Sequence, residues 1–197
     1  MKTPLGFETV LAEGVRAFAV HEARRWVSDA LDEGRTLHEA ATAVAEEQGT
    51  GFLRGRGPVP LVPVDGGAWA VRHYFRGGAV ASVLEDRYLR FGKARPVVEA
   101  RMAREARARG VPTPRVVAGA IYRAGLLFYR GDIVTEYIPA SRDLGAILFE
   151  EEPGDEGWSD LRSRALARAG HLVARAAEAG VYHPDLNANN VLLVRRR

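Results

Sequence analysis

The segment that most restricts the fold of this 197-residue chain lies near its C-terminus. Leu161, Ala165, Leu166, Ala169, Leu172, Val173 and Ala176 recur at helical spacing, which predicts a long helix with one buried face, closed by Gly180. Directly after it come His183-Pro184-Asp185, then Asn190 five positions beyond Asp185, then the apolar run Val191-Leu192-Leu193, read as a strand. Along the chain the order is a sheet with an inserted helix, then a linker, then this mainly helical part, in two lobes. The expected class is therefore α+β.

Upstream the elements are shorter. Phe7 to Val10 and Val15 to Val20 read as a hairpin turning at Glu13-Gly14. His21 to Asp32 and Leu37 to Glu47 read as helices stopped by Gly34 and Gly49, the second opened by a capping box of Thr36 and Glu39. Val59 to Val64 and Ala68 to Phe75 read as strands joined at Asp65-Gly66-Gly67, with Pro60 and Pro63 confining the first to an edge. Helical pattern is expected over Ala81 to Phe91 and over Val97 to Arg109. Strands are expected over Arg115 to Tyr122 and Leu126 to Tyr137, turning at Arg123-Ala124-Gly125. The acidic stretch Glu150 to Gly157 reads as a solvated linker. This order divides the chain into an N-terminal extension (1–48), a sheet-rich lobe (49–140) and a mainly helical lobe (141–197).

Composition removes several function classes. There is no cysteine, which excludes a disulfide framework, thiolate metal sites and a cysteine nucleophile. No apolar run approaches the ~18 residues of a membrane span, and the first residues lack an apolar signal region, so the cytoplasm is the expected compartment. Of 28 basic side chains, only Lys2 and Lys93 are lysines; the other 26 are arginines, against 25 acids, for a net charge of +3. Arginine's planar fork suits carboxylate and phosphate. The arginines are scattered among Asp and Glu with no aromatic platform, which argues against a nucleic-acid partner.

The spacing from His183 through Asp185 to Asn190 is that of phosphotransferase catalytic loops. An aspartate there takes the proton of the attacking hydroxyl, and an amide oxygen five residues on can hold a magnesium ion bridging the phosphates. Gly55 and Gly57, ahead of a strand pair, would let backbone amides approach nucleotide phosphates. Arg72, in the following strand, is the candidate phosphate-gripping cation. Glu99 on the next helix is its expected anchor, with Glu105 as the competing partner on a different helical face.

Val71-Arg72-His73-Tyr74-Phe75-Arg76-Gly77-Gly78, Gly110-Val111-Pro112-Thr113-Pro114-Arg115, Leu127-Phe128-Tyr129-Arg130, Thr135-Glu136-Tyr137-Ile138-Pro139 and Tyr182-His183-Pro184-Asp185-Leu186-Asn187 occur in this order. Together they resemble the lipopolysaccharide kinase family, from about Gly55 to Leu193. The resemblance implies a protein-kinase-like two-lobe fold that uses ATP and Mg2+. The implied reaction phosphorylates the 3-deoxy-D-manno-octulosonic acid (Kdo) sugar of Kdo-lipid A, with the enzyme held peripherally on the cytoplasmic face of the inner membrane. Asp185 would be the catalytic base, Asn190 a magnesium ligand, Arg72 and Glu99 the phosphate-gripping pair, and Glu136 to Ile138 the hinge whose backbone meets adenine. His183 would hold the catalytic loop.

The sequence departs from that pattern in one respect: no acid follows Asn190, where kinase-like enzymes carry the aspartate of a D-F-G-like motif. The expectation is a truncated C-terminal lobe, on the reasoning that the last strand lacks its hairpin mate. Two alternatives stay open. One is a catalytically inactive kinase-like binding protein. The other is a small-molecule phosphotransferase of the aminoglycoside or choline kinase type, against which Asn187 and the Arg-His-Tyr strand argue.

Overall fold

The computed structural model describes residues 3–53, 57–75, 86–149, 158–183 and 186–194. These form two compact units, one of residues 1–104 and 114–137, the other of residues 105–113 and 138–197.

The first unit is built on an antiparallel sheet. Its strands are β1 (Glu8–Ala12), β2 (Val15–Ala19), β3 (Phe52–Leu53), β4 (Val59–Val64), β5 (Gly67–His73), β6 (Tyr88–Leu89), β7 (Val116–Ala124) and β8 (Phe128–Glu136). They lie in the order β1-β2-β7-β8-β5-β4-β3, with β6 continuing the β5 side of β8. Alternation along each strand sends residues to opposite faces. On one face Ala17, Ala19, Val71, Ala118, Ala120 and Val134 pack under α1 (His21–Asp32) and α2 (Leu37–Gln48). On the other, Phe18, Val116 and Ile133 pack with Val97 and Ala100 of α3 (Arg95–Ala108). Gly119 is needed on that second face, since a Cβ there would lie 2.5 Å from the Phe18 ring.

Residues 1–48 supply two strands and two helices to this unit, β2 pairing with β7 along its whole length. The Thr36–Glu39 capping box forms as expected, and α2 ends on Gly49 in the left-handed conformation. The proline-bearing β4 lies next to the edge, with only the two-residue β3 outside it. The β7–β8 turn falls at Gly125 to Leu127, two residues later than expected, because the ladder continues to the Ala124–Phe128 pair. Of the helix expected over Ala81 to Phe91, residues 81–85 lie outside the described residues; Tyr88–Leu89 is strand β6, paired with Tyr129 and Phe128.

The second unit contains β9 (Ser141–Asp143), α4 (Leu144–Phe149), α5 (Trp158–Glu178), a 3-10 turn (Ala188–Asn190) and β10 (Leu192–Val194). Leu144 and Ile147 of α4, Ala165 and Ala169 of α5, and Val191 form its core. Leu166 and Val173, expected on the buried face of α5, are exposed: each stands one residue, about 100° of turn, beyond the Ala165/Leu172 line. The last strand is not unpaired as expected. β10 runs antiparallel to β9, Leu192 opposite Asp143 and Val194 opposite Ser141. The expected linker at 150–157 lies outside the described residues.

Candidate active site

Two sets of expected residues are placed, one in each unit. In the first, β5 directs Val71 and His73 toward α1 and α2 and Arg72 toward α3. The Arg72 guanidinium forms an ion pair with Glu99 Oε1. The Tyr74 hydroxyl donates to Glu99 Oε2 at 2.5 Å, and the Arg95 guanidinium stands 5.2 Å above the Tyr74 ring. Burial, with the Glu99 carboxylate beside it, pushes the Tyr74 hydroxyl well above the ordinary tyrosine value, so it stays a donor. For Arg72, burial works against the charge and Glu99 outweighs it. The competing acid Glu105 is paired instead with Arg109, four residues along.

Gly57 packs against Phe75, whose ring a Cβ at 57 would meet at 2.6 Å. Gly55 lies outside the described residues. The Glu136 carboxylate takes Arg115 Nε at 2.7 Å, while Arg115 reaches Glu22 at 2.6 Å. The Glu136 and Tyr137 amides donate to the Arg115 and Ala68 carbonyls, both at 2.9 Å. Those two amides, in the segment expected as the hinge, are therefore committed within the sheet. The chain passes from the first unit to the second between Tyr137 and Ile138.

A buried network next to Arg72 was not anticipated. Asp132, fully buried on β8, accepts from the Tyr122 hydroxyl at 2.7 Å and from the His38 amide at 2.9 Å, while the Leu37 amide donates to the Tyr122 oxygen at 2.8 Å. The start of α2 is thereby tied to the sheet. His73 stands between two carboxylates, Nδ1 2.6 Å from Asp132 and Nε2 3.1 Å from Asp86, and Arg130 approaches Asp86 at 3.5 Å. Only the imidazolium donates from both nitrogens. Burial opposes that charge, but the bonds to Asp132 and Asp86 outweigh it and raise the His73 pKa above 6.5. The available signal was an acid directly before the apolar pair Ile133-Val134, two positions from Val134 and so on the same face of the strand.

In the second unit, Asp185 lies outside the described residues. His183 and Leu186 on either side of it are exposed. Asn190 ends the 3-10 turn, its amide donating to the Asn187 carbonyl at 3.0 Å, and Asn187 Oδ1 caps the turn by accepting from the Asn189 amide at 3.0 Å. The turn sits on α4: the Leu144 amide donates to the Val191 carbonyl at 2.8 Å, and Asp143 Oδ1 caps α4 through the Ala146 amide at 2.8 Å. Gly145 makes room for this contact, since a Cβ there would lie 2.0 Å from Asn189 Oδ1. Among the described residues no three acidic or imidazole side chains gather into a metal cluster. The side-chain oxygens of this segment nonetheless suit a hard cation such as magnesium.

The Arg72–Glu99 pair in the first unit and the turn ending at Asn190 in the second are expected site residues that the structure places. The sequence model of the Lipopolysaccharide kinase (Kdo/WaaP) family matches residues 39–197. The chain is 33% identical over 172 residues to a 3-deoxy-D-manno-octulosonic acid kinase of Vibrio parahaemolyticus, covering 85% of this chain and 68% of that protein. It is 37% identical to one of Photobacterium damsela subsp. piscicida, covering 73% and 57%. With one of Vibrio cholerae the identity is 30%, covering 91% and 74%. A solved structure described as WaaP in complex with acyl carrier protein is 21% identical, with a TM-score of 0.37, covering 75% of this chain and 48% of that one. The chain spans between 57% and 74% of the length of the curated relatives named here. It belongs to the lipopolysaccharide kinase (Kdo/WaaP) family. No helix among the described residues is long and apolar enough to cross a membrane.

Proposed function

We propose that this chain is an ATP-dependent kinase that phosphorylates a hydroxyl of the Kdo sugar on a Kdo-lipid A type glycolipid, attached peripherally to the cytoplasmic face of the inner membrane. The observation that carries this reading is the Arg72–Glu99 ion pair, which joins a strand and a helix 27 residues apart in sequence. A guanidinium fixed from behind by a carboxylate keeps its remaining donors directed at phosphate oxygens. Family membership and the names of the relatives support the acceptor.

In this reading Asp185 takes the proton of the sugar hydroxyl as its oxygen attacks the γ-phosphorus. The new O–P bond forms, the bond to the β-phosphate breaks, and ADP leaves. Asn190, presented by its capped turn, would be a magnesium ligand, and the ion would offset phosphate charge. Gly55 and Gly57 let the backbone approach the phosphates. The adenine contact falls to Ile138 among the hinge amides, because those of Glu136 and Tyr137 are already bonded.

The test is transfer of labelled phosphate from ATP by the full chain. Labelling of Kdo-lipid A with no labelling of an aminoglycoside is expected. ATP binding with no transfer to Kdo-lipid A, or transfer to the aminoglycoside alone, would overturn the proposal.

A further inference from the structure

At one end of the sheet three turns meet: Glu13-Gly14 between β1 and β2, Gly125 to Leu127 between β7 and β8, and Arg90 to Lys93 after β6. Backbone bonds hold them together, from the Arg123 amide to the Gly14 carbonyl at 2.8 Å and from the Arg90 amide to the Leu127 carbonyl at 2.9 Å. Around these turns Leu126 and Phe91 are 80% exposed, Leu11 70%, Leu127 56% and Leu89 46%. Single exposed apolar residues are ordinary; five large ones at one end of a sheet mark an interaction surface.

The charge at this end identifies the partner. Arg16, Arg90 and Arg123 line a groove of about 430 Å3 with Ile121 and Tyr129, and no acid lines it. Arg16 lies directly across the hairpin from Leu11. Arg90 and Arg123 also approach the carbonyls of Leu126 and Gly125, each at 3.4 Å, which places both guanidinium groups beside the apolar tip. Lys93 is exposed beside them. None of these four cations forms an ion pair with a described acid, whereas Arg72, Arg109, Arg115 and Arg130 all do. Glu13 is the sole acid in the three turns. Apolar tips bordered by unpaired cations match the layering of a bilayer surface, acyl boundary inside and phosphate outside. A folded protein partner would bring carboxylates to the cations but offers no fluid apolar layer for three separate tips.

We propose that this end of the sheet docks the protein on an anionic phospholipid bilayer, with Phe91, Leu126 and Leu127 entering the interface and Arg16, Arg90, Lys93 and Arg123 meeting lipid phosphates. The proposal rests on the peripheral attachment stated above and names its surface. It uses no residue assigned to phosphate transfer.

The experiment is co-sedimentation of the full chain with vesicles lacking lipopolysaccharide, made of phosphatidylcholine alone or with roughly one-third phosphatidylglycerol, at about 0.1 M salt. Binding to the anionic vesicles alone is expected. Arg16→Ala should weaken it about fivefold, and the double variant Phe91→Ser/Leu126→Ser about tenfold or more. Both variants should keep the parent's thermal midpoint, because these side chains are exposed. Equal binding by the double variant, no binding by the unaltered chain, or full displacement from vesicles by a nucleic-acid duplex would overturn it. No vesicle binding by the unaltered chain, with intact transfer to detergent-dispersed Kdo-lipid A, refutes this surface and leaves the kinase reading standing. Vesicle binding without transfer does the reverse.

Discussion

Replacing Asp132 should expose how strongly the sheet holds α2. Its carboxylate is fully buried and is the acceptor for three donors: the Tyr122 hydroxyl, the His38 amide and His73 Nδ1. Asp132→Ala leaves all three buried without it. Breaking a buried charged contact from one side costs about 3–5 kcal/mol, a large share of the roughly 5–15 kcal/mol that stabilises a domain. Asp132→Asn keeps an oxygen for Tyr122 and His38 and offers an N–H to His73, which can then be neutral with Nε2–H facing Asp86. That change should cost only about 1–2 kcal/mol. The pH dependence separates the two effects. A histidine whose folded pKa is raised contributes stability that is complete below its unfolded value near 6.5 and is lost as pH rises through the folded pKa. Urea denaturation followed from pH 6 upward should therefore show the unaltered chain losing stability above pH 6.5, and Asp132→Asn losing most of that slope. An Asp132→Ala cost below about 1 kcal/mol, or an unchanged slope in Asp132→Asn, would refute the argument.

Three further outcomes can be checked. Arg72→Ala should weaken apparent ATP affinity about tenfold or more yet change the urea midpoint little, because a half-exposed ion pair contributes at most about 1 kcal/mol; equal ATP affinity would show that Arg72 does not hold the nucleotide. Gly145→Ala forces Asn189 off α4 and should cost about 1–3 kcal/mol, with lower turnover at unchanged ATP affinity, measured by denaturation and steady-state kinetics. Thr36→Ala removes one half of a capping box and should lower stability by about 1 kcal/mol in the same denaturation assay.

The sequence made local structure readable and long-range pairing less so. Thr36 and Glu39 announced the start of α2, and Gly49 its end, because capping chemistry is local. Arg72 and Glu99 could be matched because each has its own element and a defined face. β9, by contrast, is Ser141-Arg142-Asp143, with no β-branched or alternating signal; its strand character comes from pairing with β10 some fifty residues later. That non-local pairing is why the last strand read as lacking a mate. Asp132 was missed because a lone acid in a strand is ordinarily a surface residue. Its partners, Tyr122, His38 and His73, come from three separate elements that only the fold assembles. On α5, periodicity marked an apolar stripe wider than the face that packs, so Leu166 and Val173 were assigned to the core.

If Asp185 is the base for transfer of phosphate to a sugar hydroxyl, Asp185→Asn is the variant that reveals it most directly. With Kdo-lipid A and labelled ATP, kcat should fall by a factor on the order of a hundred to ten thousand while ATP affinity stays close to that of the unaltered chain. Turnover retained within a few-fold, with Kdo-lipid A still labelled, would contradict it.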